Sequence, residues 1–255
     1  MLEIVQLPVL QDNYLYLLHD RDSGETAVVD PAVDQPVEAA CAERGWSLSH
    51  IFNTHHHWDH TGANLKLKEK HGLTIVGPAA ERDRIPGIDI AVGDGDHVHL
   101  GESSALVYDV PGHTSGHIAY YFDADQALFC GDTLFSMGCG RLFEGSPETM
   151  WTSLCKLMQL PDETRIYCAH EYTEANGRFA LSVDPANHSL QDRMAEVRAL
   201  RAKGHPTIPS TLGVERATNP FLRAADENLQ TALDMVGAPP VRVFAETRRR
   251  KDHFS

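Results

Sequence analysis

The sequence predicts a mixed α/β domain followed by a mainly helical segment. Up to about residue 172, short apolar runs bounded by Asp, Ser, Gly and Pro alternate with helix-like segments, as expected for strands and helices in turn. Beyond that point, apolar side chains recur at the spacing of helix faces. The chain has 255 residues, of which 42% are hydrophobic, so it can bury a sizeable core without disulfides.

Short apolar runs in the first two thirds of the chain predict the strands. Each run is bounded by residues that favour turns, and each is shorter than a typical helix. The predicted strands are residues 13–18, 26–29, 51–52, 75–76, 98–100, 105–110, 118–122, 127–130 and 165–168.

Helices are predicted where a capping residue or a terminal glycine borders an apolar stretch. Glycine commonly ends helices because it adopts the left-handed backbone conformation at little cost. The predicted helices are 37–42, ended by Gly45; 63–71, ended by Gly72; a helix that begins at Ser146 with Pro147 in its first turn; and two helical faces, 190–200 and 229–236, ended by Gly204 and Gly237.

The composition argues against several classes of protein. A net charge of −14 opposes binding to the phosphate backbone of a nucleic acid. No apolar run approaches the ~18 residues of a membrane span, and the first residues lack the basic region of a signal peptide. Five cysteines without a CxxC pair do not suggest a disulfide framework. We therefore expect a cytoplasmic protein with no nucleic-acid and no membrane partner, and we expect it to be a monomer.

The most informative local pattern is the histidine-rich segment 55–60, which also contains Asp59. Imidazoles two positions apart, such as those of His55 and His57, can converge on one ion, while Asp59 and His60 can face a second ion. Burying so many polar groups is costly unless they are paired or bind metal. The segment therefore predicts a metal site.

Three further candidate ligands follow predicted strands. His113, Asp132 and His170 each come shortly after an apolar run. Ligands of layered α/β folds gather outside the carboxyl ends of strands, so we expect these side chains at the same rim as segment 55–60. Packing, solvent exposure or a supporting role is expected for the neighbouring residues His56, Trp58 and His117.

The H-x-H-x-D-H pattern at 55–60, with His113, Asp132 and His170 downstream, resembles that of the metallo-β-lactamase superfamily. Further stretches resemble one branch of it, the glyoxalase II or hydroxyacylglutathione hydrolase family. These stretches are residues 131–135 (GDTLF), 139–145 (CGRLFEG), 169–173 (AHEYT) and the basic end 248–251 with Asp252 and Phe254. The resemblance covers essentially the whole chain, including its helical C-terminal part.

For the fold, the resemblance implies an α/β (α+β) architecture, namely a four-layer αββα metallo-β-lactamase-like sandwich with a C-terminal helical domain. It implies a catalytic domain at residues 1–172 and a helical substrate-binding domain at residues 173–255.

The resemblance also implies a binuclear metal site. The implied ligands are His55, His57 and His113 for the first ion, Asp59, His60 and His170 for the second, and Asp132 as the bridge. Two divalent ions are expected, zinc above all, with iron or manganese as alternatives, because imidazole and carboxylate suit all three metals. The implied nucleophile is a hydroxide that bridges the metals and is oriented by Asp59.

The implied activity is hydrolysis of S-2-hydroxyacylglutathione thioesters. S-D-lactoylglutathione would give D-lactate and glutathione, the second step of methylglyoxal detoxification. A substrate with two carboxylates needs a local positive patch on so acidic a chain, and by position the implied contacts are Arg141, Tyr172, Arg248 and Lys251. Phe143 stands where some members carry tyrosine, and it cannot donate a hydroxyl hydrogen bond.

Three other functions stay open. A persulfide dioxygenase shares the superfamily pattern but uses a mononuclear iron site, which needs only two histidines and one carboxylate. An RNA-processing nuclease of the superfamily needs a broad basic surface, which the net charge opposes. A structural metalloprotein usually has a closed, cysteine-containing zinc site. Metal content and a thioesterase assay together distinguish these functions.

Overall fold

The computed structural model describes residues 1–254, which form two compact units. The first unit comprises Met1–Asp109 and Ser115–Gly131, and the second comprises Val110–Thr114 and the chain from Asp132 onward. Within the described residues, no helix has the length and apolar character needed to traverse a lipid bilayer. The domain boundary expected between residues 172 and 173 stays a prediction.

The first unit contains a six-stranded sheet whose strands follow one another in chain order. They are β1 (Leu2–Val9), β2 (Asn13–Asp20), β3 (Glu25–Val29), β4 (Ser47–Phe52), β5 (Thr74–Pro78) and β6 (Ile90–Val92). Strands β1 to β3 are antiparallel, and β3 to β6 are parallel. Parallel neighbours need crossover connections, and these contain α1 (Gln35–Arg44), α2 (Trp58–Thr61), α3 (Asn64–His71) and a short 3-10 helix, Ala79–Glu81.

Two neighbouring parallel strands of this sheet position the candidate ligands. Asp30 directly follows β3, and the segment 53–57 directly follows β4. The backbone N–H of Asp30 donates to the carbonyl oxygen of Phe52 at 3.1 Å. Because parallel strands end at the same edge of the sheet, Asp30 lies beside the histidine-rich segment.

The remaining strands of the first unit form an antiparallel succession. They are β7 (His97–Leu100), β8 (Ser103–Asp109), β9 (Ile118–Phe122) and β10 (Ala127–Gly131). The main core of the unit lies between the first sheet and its helices, where Leu17, Val28 and Ile51 pack with Val37 and Leu67. Burial of these side chains on both elements fixes the helices on the sheet.

The second unit is mainly helical. Its strands are β11 (Leu134–Phe135), β12 (Gly138–Cys139), β13 (Arg165–Cys168) and β14 (Ser210–Thr211). Its helices are α4 (Pro147–Leu157), α5 (Thr173–Val183), α6 (His188–Arg201), α7 (Leu212–Thr218), α8 (Glu227–Ala232) and α9 (Pro240–Asp252). The pairs β11–β12 and β13–β14 are antiparallel, and Leu190, Met194 and Val197 of α6 pack in a core with Met137 and Ala180.

Three predicted helix ends, at Ser146, Gly45 and Gly72, are confirmed. The side chain of Ser146 accepts a hydrogen bond from the backbone of Thr149 and caps α4. Helices α1 and α3 end at Gly45 and Gly72, both in the left-handed conformation. These signals are local, so the sequence alone carries them.

The structure differs from the predicted elements in two places. The helical face predicted over 229–236 is too long, because α8 ends at Ala232 and Asp234 adopts a left-handed φ of 59°. The structure also contains a strand that was not predicted, β1, which continues through Pro8. That strand pairs with β2 at the end of the strand order, and an edge strand tolerates a residue without an N–H.

Candidate metal centre

The loop after β4 brings four candidate ligands of the first unit together as two pairs. His55 Nε2 lies 3.0 Å from His57 Nδ1. Asp59 Oδ2 lies 3.6 Å from His60 Nε2. The first separation is close to the roughly 3.3 Å expected between two nitrogens bound to one tetrahedral ion. Each pair thus has the spacing of ligands that share an ion.

Asp30, which the sequence analysis did not identify, anchors two of these rings. Its buried carboxylate accepts hydrogen bonds from Thr54 N (2.8 Å), Thr54 Oγ1 (2.6 Å) and His60 Nδ1 (3.0 Å). The Thr54 hydroxyl donates its proton to Asp30, so it accepts a hydrogen bond from His55 Nδ1, 3.0 Å away. Both rings therefore carry their proton on Nδ1 and present an unprotonated Nε2 to a metal.

Ligand atoms of Asp30, His55 and His60 also lie within 4.8 Å of one another, so these three residues could by distance hold an ion themselves. The hydrogen bonds argue for a different role. Asp30 receives protons from the outer nitrogen of His60 and from Thr54, and such carboxylates orient metal-binding histidines from behind.

Asn13 holds the carboxylate of Asp59. Its side-chain amide donates to Asp59 Oδ2 at 3.0 Å, and Asn13 is itself buried at the start of β2. A neutral donor on one oxygen fixes the orientation of the carboxylate without neutralising its charge. No sequence signal pointed to this residue, since Asn before an apolar run is typical of a turn.

The second unit contributes a carboxylate between two histidines. Asp132 Oδ2 lies 3.4 Å from His113 Nε2, and Asp132 Oδ1 lies 3.4 Å from His170 Nε2. His113 Nδ1 donates to the carbonyl oxygen of Arg141 at 2.9 Å, so the neutral ring carries its proton on Nδ1 and has an unprotonated Nε2. Each oxygen of this carboxylate therefore faces a different imidazole.

The residues of each unit fit a divalent metal. They offer imidazole nitrogens and carboxylate oxygens, which suit zinc, iron and manganese. His55, His60, His113, Asp132 and His170 are all buried. Buried groups of this kind are costly unless they are hydrogen-bonded or bind a cation. The clusters therefore support a divalent metal site.

The predicted substrate contacts all lie in the second unit. Arg141 and Tyr172 are exposed, and the Tyr172 ring stacks on His170 with centroids 4.7 Å apart. Lys251 lies in the last turn of α9, where burial is the largest cause that lowers the pKa of its ammonium. Three guanidinium groups lower that pKa further, those of Arg248, Arg141 and Arg178. The structure thus shows a cluster of cations, and Arg178 is a member that the sequence analysis missed.

Arg248 differs from the other predicted contacts because its side chain is buried. Its guanidinium donates to Asp252 Oδ1 at 3.0 and 2.7 Å and to the carbonyl oxygen of Cys139 at 3.0 Å. Arg248 therefore has a structural role in addition to any contact with a substrate.

Phe143 is exposed, and its ring centroid lies 5.2 Å from that of His113.

Packing, solvent exposure or a supporting role was expected for three neighbours of the candidate ligands, and the structure shows a different environment for each. Trp58 is exposed. His117 is buried, and its ring stacks on that of His55 with centroids 4.6 Å apart. His56 is bound by the carboxylate of Glu81, a buried residue that the sequence analysis did not identify.

Comparisons with known proteins agree with this geometry. The family described as "Hydroxyacylglutathione hydrolase C-terminus" matches residues 171–254, and the family described as "Metallo-beta-lactamase superfamily" matches residues 9–170. A hydroxyacylglutathione hydrolase of Methylococcus capsulatus is 59% identical over 254 residues, which are 100% of this chain and 99% of the relative. A hydroxyacylglutathione hydrolase of Rhodospirillum rubrum is 54% identical over 253 residues, or 99% of each chain.

A related solved structure, described as a di-iron-bound form, is 26% identical with a TM-score of 0.60. The similarity covers 86% of this chain and 100% of that one. The predicted metallo-β-lactamase fold is therefore confirmed. Together with its identity to the full-length relatives, this places the chain in the hydroxyacylglutathione hydrolase family of the metallo-β-lactamase superfamily.

Proposed function

We propose that the chain hydrolyses the thioester bond of S-2-hydroxyacylglutathiones, with S-D-lactoylglutathione as its substrate and D-lactate and glutathione as products. The observation that supports this most directly is Asp132, whose two oxygens face the Nε2 atoms of His113 and His170. Relatives that match the whole chain are named for this hydrolase activity, so the persulfide dioxygenase alternative has less support.

The metal site that we propose is binuclear and holds zinc, with iron or manganese as alternatives. Its ligands are His55, His57 and His113 for one ion, Asp59, His60 and His170 for the other, and Asp132 for both. Support comes from the paired ligands of the first unit, from the two-sided carboxylate of the second, and from the relative solved with two irons. When bound, two such cations make water more acidic and polarise the carbonyl oxygen of the thioester.

The chain's own residues orient the reacting groups. Asp59, whose carboxylate is held by Asn13, would accept a hydrogen bond from the attacking water and so orient that water toward the thioester carbon. The leaving group is a thiolate, whose conjugate acid has a pKa of about 8.5. It can depart without a proton donor, so we assign no separate general acid.

Substrate selectivity is assigned to Arg141, Tyr172, Arg248 and Lys251. Arg141 and Arg248 lie close enough to Lys251 to lower the pKa of its ammonium group. Guanidinium groups bind carboxylates through paired donors. Arg248 and Lys251 belong to residues 173–255, which would serve as the substrate-binding domain. Arg141 and Tyr172 belong to residues 1–172, which would serve as the catalytic domain. We also propose that the protein is a cytoplasmic monomer with no membrane and no nucleic-acid partner. The net charge of −14 supports the absence of a nucleic-acid partner.

The test is hydrolysis of S-D-lactoylglutathione, which is measured as the loss of thioester absorbance before and after the metal is removed with a chelator. Elemental analysis of the same protein gives the number of bound ions per chain. Turnover that stops on chelation and returns with about two ions per chain is expected. Oxygen consumption with glutathione persulfide, at about one iron per chain, would instead establish the dioxygenase. Bound metal without either activity would indicate a structural metalloprotein.

A further inference from the structure

Glu81 is a buried carboxylate that binds two separate loops of the first unit. It ends the 3-10 helix Ala79–Glu81, and its side chain is fully buried. Its Oε2 accepts hydrogen bonds from His56 N at 2.7 Å and from His56 Nδ1 at 2.8 Å. Its Oε1 accepts a hydrogen bond from Gly116 N at 3.0 Å. Three donors thus offset the cost of burying this charge.

The contacts of His56 fix both its ring and its backbone. His56 Nε2 lies 2.5 Å from Arg84 Nη2, and a guanidinium can only donate, so Nε2 accepts. The ring proton is therefore on Nδ1, directed at Glu81. His56 stands between His55 and His57, so holding its N–H and its ring restricts the peptide units that carry both neighbouring imidazoles.

The contact with Gly116 holds the second loop. A Cβ at Gly116 would lie 2.6 Å from Glu81 Cγ and 2.8 Å from Ala80 Cβ, so this close approach requires glycine. The next residue, His117, stacks on His55 at a centroid distance of 4.6 Å. Glu81 therefore fixes the loop that supports one face of the His55 ring, in addition to the loop that carries it.

We propose that Glu81 is a positioning residue that holds His55 and His57 in their metal-binding arrangement before the metal arrives. The proposal rests on the ligand assignment under Proposed function. It differs from the role of Asp30, which accepts a hydrogen bond from the outer nitrogen of His60, because Glu81 acts through the backbone and ring of His56. The result of holding the two ligands in place is a higher affinity for metal, with no change in substrate binding.

The test is zinc affinity of Glu81→Gln, measured by competition of the apoprotein with a chromophoric chelator. The amide nitrogen of Gln must face either His56 or Gly116 N–H, so at least one of these hydrogen bonds is lost. Zinc binding is expected to weaken roughly tenfold to 100-fold, as for other residues that support ligands. Glu69→Gln, an exposed change on α3, is the matched control and should bind zinc as the wild type does.

A second pair of variants separates positioning from general loss of structure. His56→Asn places an amide N–H near the original Nδ1–H, whereas His56→Ala removes the donor. His56→Asn should bind zinc with nearly the wild-type affinity, whereas His56→Ala should bind zinc more weakly. The d–d absorption of cobalt in place of zinc should shift in Glu81→Gln and His56→Ala only, because this spectrum reports ligand geometry.

Kinetics give the remaining outcomes. At limiting zinc, kcat of Glu81→Gln should fall while KM for S-D-lactoylglutathione stays unchanged, and added zinc should recover kcat. Unchanged zinc affinity in Glu81→Gln, an equal loss in Glu69→Gln, or a raised KM at saturating zinc would each overturn the proposal. If the wild type binds two ions but cleaves no thioester, the proposed function fails, while the zinc competition still decides the role of Glu81.

Discussion

One carboxylate controls the protonation of two candidate ligands in the first unit. Asp30 accepts from His60 directly and from His55 through the Thr54 hydroxyl. Since both rings then hold their proton on the outer nitrogen, the inner nitrogen of each is ready to bind metal without first losing a proton. The residue that determines this behaviour is not itself proposed as a ligand.

Asp30→Asn should therefore weaken metal binding. Thr54 N donates to one oxygen of Asp30, whereas Thr54 Oγ1 and His60 Nδ1 donate to the other oxygen. The amide nitrogen of Asn can only donate, so the hydrogen bonds at one of these two positions are lost. We expect zinc affinity to fall roughly tenfold to 100-fold, as measured by chelator competition. Asp22→Asn, at an exposed carboxylate, is the control. An affinity equal to that of the wild type would show that Asp30 does not orient these ligands.

Lys251→Ala should raise KM for S-D-lactoylglutathione about tenfold, the equivalent of about 1.4 kcal/mol, with little change in kcat. The reason is that a contact with a distant carboxylate of the substrate stabilises the ground state and the transition state equally. Steady-state kinetics measure both constants, and Lys203→Ala, an exposed lysine after α6, serves as the control. A KM that does not change would remove Lys251 from the substrate site.

The sequence identified the candidate ligands but not the residues that support them. Segment 55–60 stands out because its histidines are neighbours in the chain. Asn13 begins the predicted strand 13–18 and Asp30 follows the predicted strand 26–29, and a turn explains an isolated polar residue at either position equally well. They become informative only when folding brings β2 and β3 beside the loop after β4, which depends on strand pairing and not on local spacing.

At the scale of elements, three helices of the second unit hold the β11–β12 hairpin. The Asn219 amide donates to the carbonyl oxygens of Phe135 (3.0 Å) and Gly138 (2.9 Å). Glu215 accepts from the backbone N–H of Met137 at 2.7 Å, and Asn176 donates to the carbonyl oxygen of Ser136 at 3.2 Å. This hairpin joins Asp132 to Arg141, so α5 and α7, and α9 through Arg248, fix the chain between a candidate ligand and a candidate substrate contact.

The turn after β2 depends on the charge of Asp20. Burial is the largest single influence and acts to raise the pKa of this carboxyl, but hydrogen bonds from Asp22 N (2.8 Å), Ser23 N (3.3 Å) and Ser103 N (2.8 Å) together lower the pKa to about 2. The folded state therefore favours the charged carboxylate. The associated stability is present above the ordinary value of 3.8 and is lost as the pH falls toward 2.

Asp20→Asn should remove this pH-dependent contribution. The difference in the free energy of unfolding between the wild type and the variant should shrink by about 2 kcal/mol as the pH falls from about 5 to 2. Denaturant unfolding of both proteins, in the metal-free form, measures that difference. The pH-dependent contributions of carboxylates that both proteins share cancel when the two free energies are subtracted. A constant difference across this range would mean that Asp20 has the same pKa in the folded and unfolded chains.

Elements that have local signals were predictable, and those that depend on tertiary packing were not. Ser146 and Gly72 mark helix ends by their own conformational preferences. In contrast, β1 continues through Pro8 only because β2 provides a partner along its whole length. Helix α9 continues to Asp252 although its last turn is a run of basic residues. There, Arg248 lies over the Phe221 ring at 5.1 Å and forms an ion pair with Asp252.

At the scale of the whole molecule, an acidic chain has to attract an anionic substrate. The net charge of −14 is spread over the sequence, whereas Arg141, Arg178, Arg248 and Lys251 form one cluster in the second unit. At physiological ionic strength, charges are screened beyond about 8 Å. The interaction with a bound anion consequently depends on nearby cations more than on distant carboxylates. The net charge is therefore a better guide to polyanionic partners such as nucleic acids than to a small anionic substrate.

Metal removal should lower the thermal stability of the entire chain. The proposed ligands come from four stretches between His55 and His170, so an unfolded chain cannot present them together. An ion at 1,000 times its Kd stabilises the folded form by about 4 kcal/mol, and each kcal/mol shifts Tm by roughly 2–4 °C at this size. Calorimetry should therefore show Tm rising by roughly 10 °C when chelated protein is reloaded with zinc. Asp132→Ala should lose most of that rise while its metal-free Tm stays near that of the wild type; an undiminished rise in this variant would mean that zinc binds elsewhere.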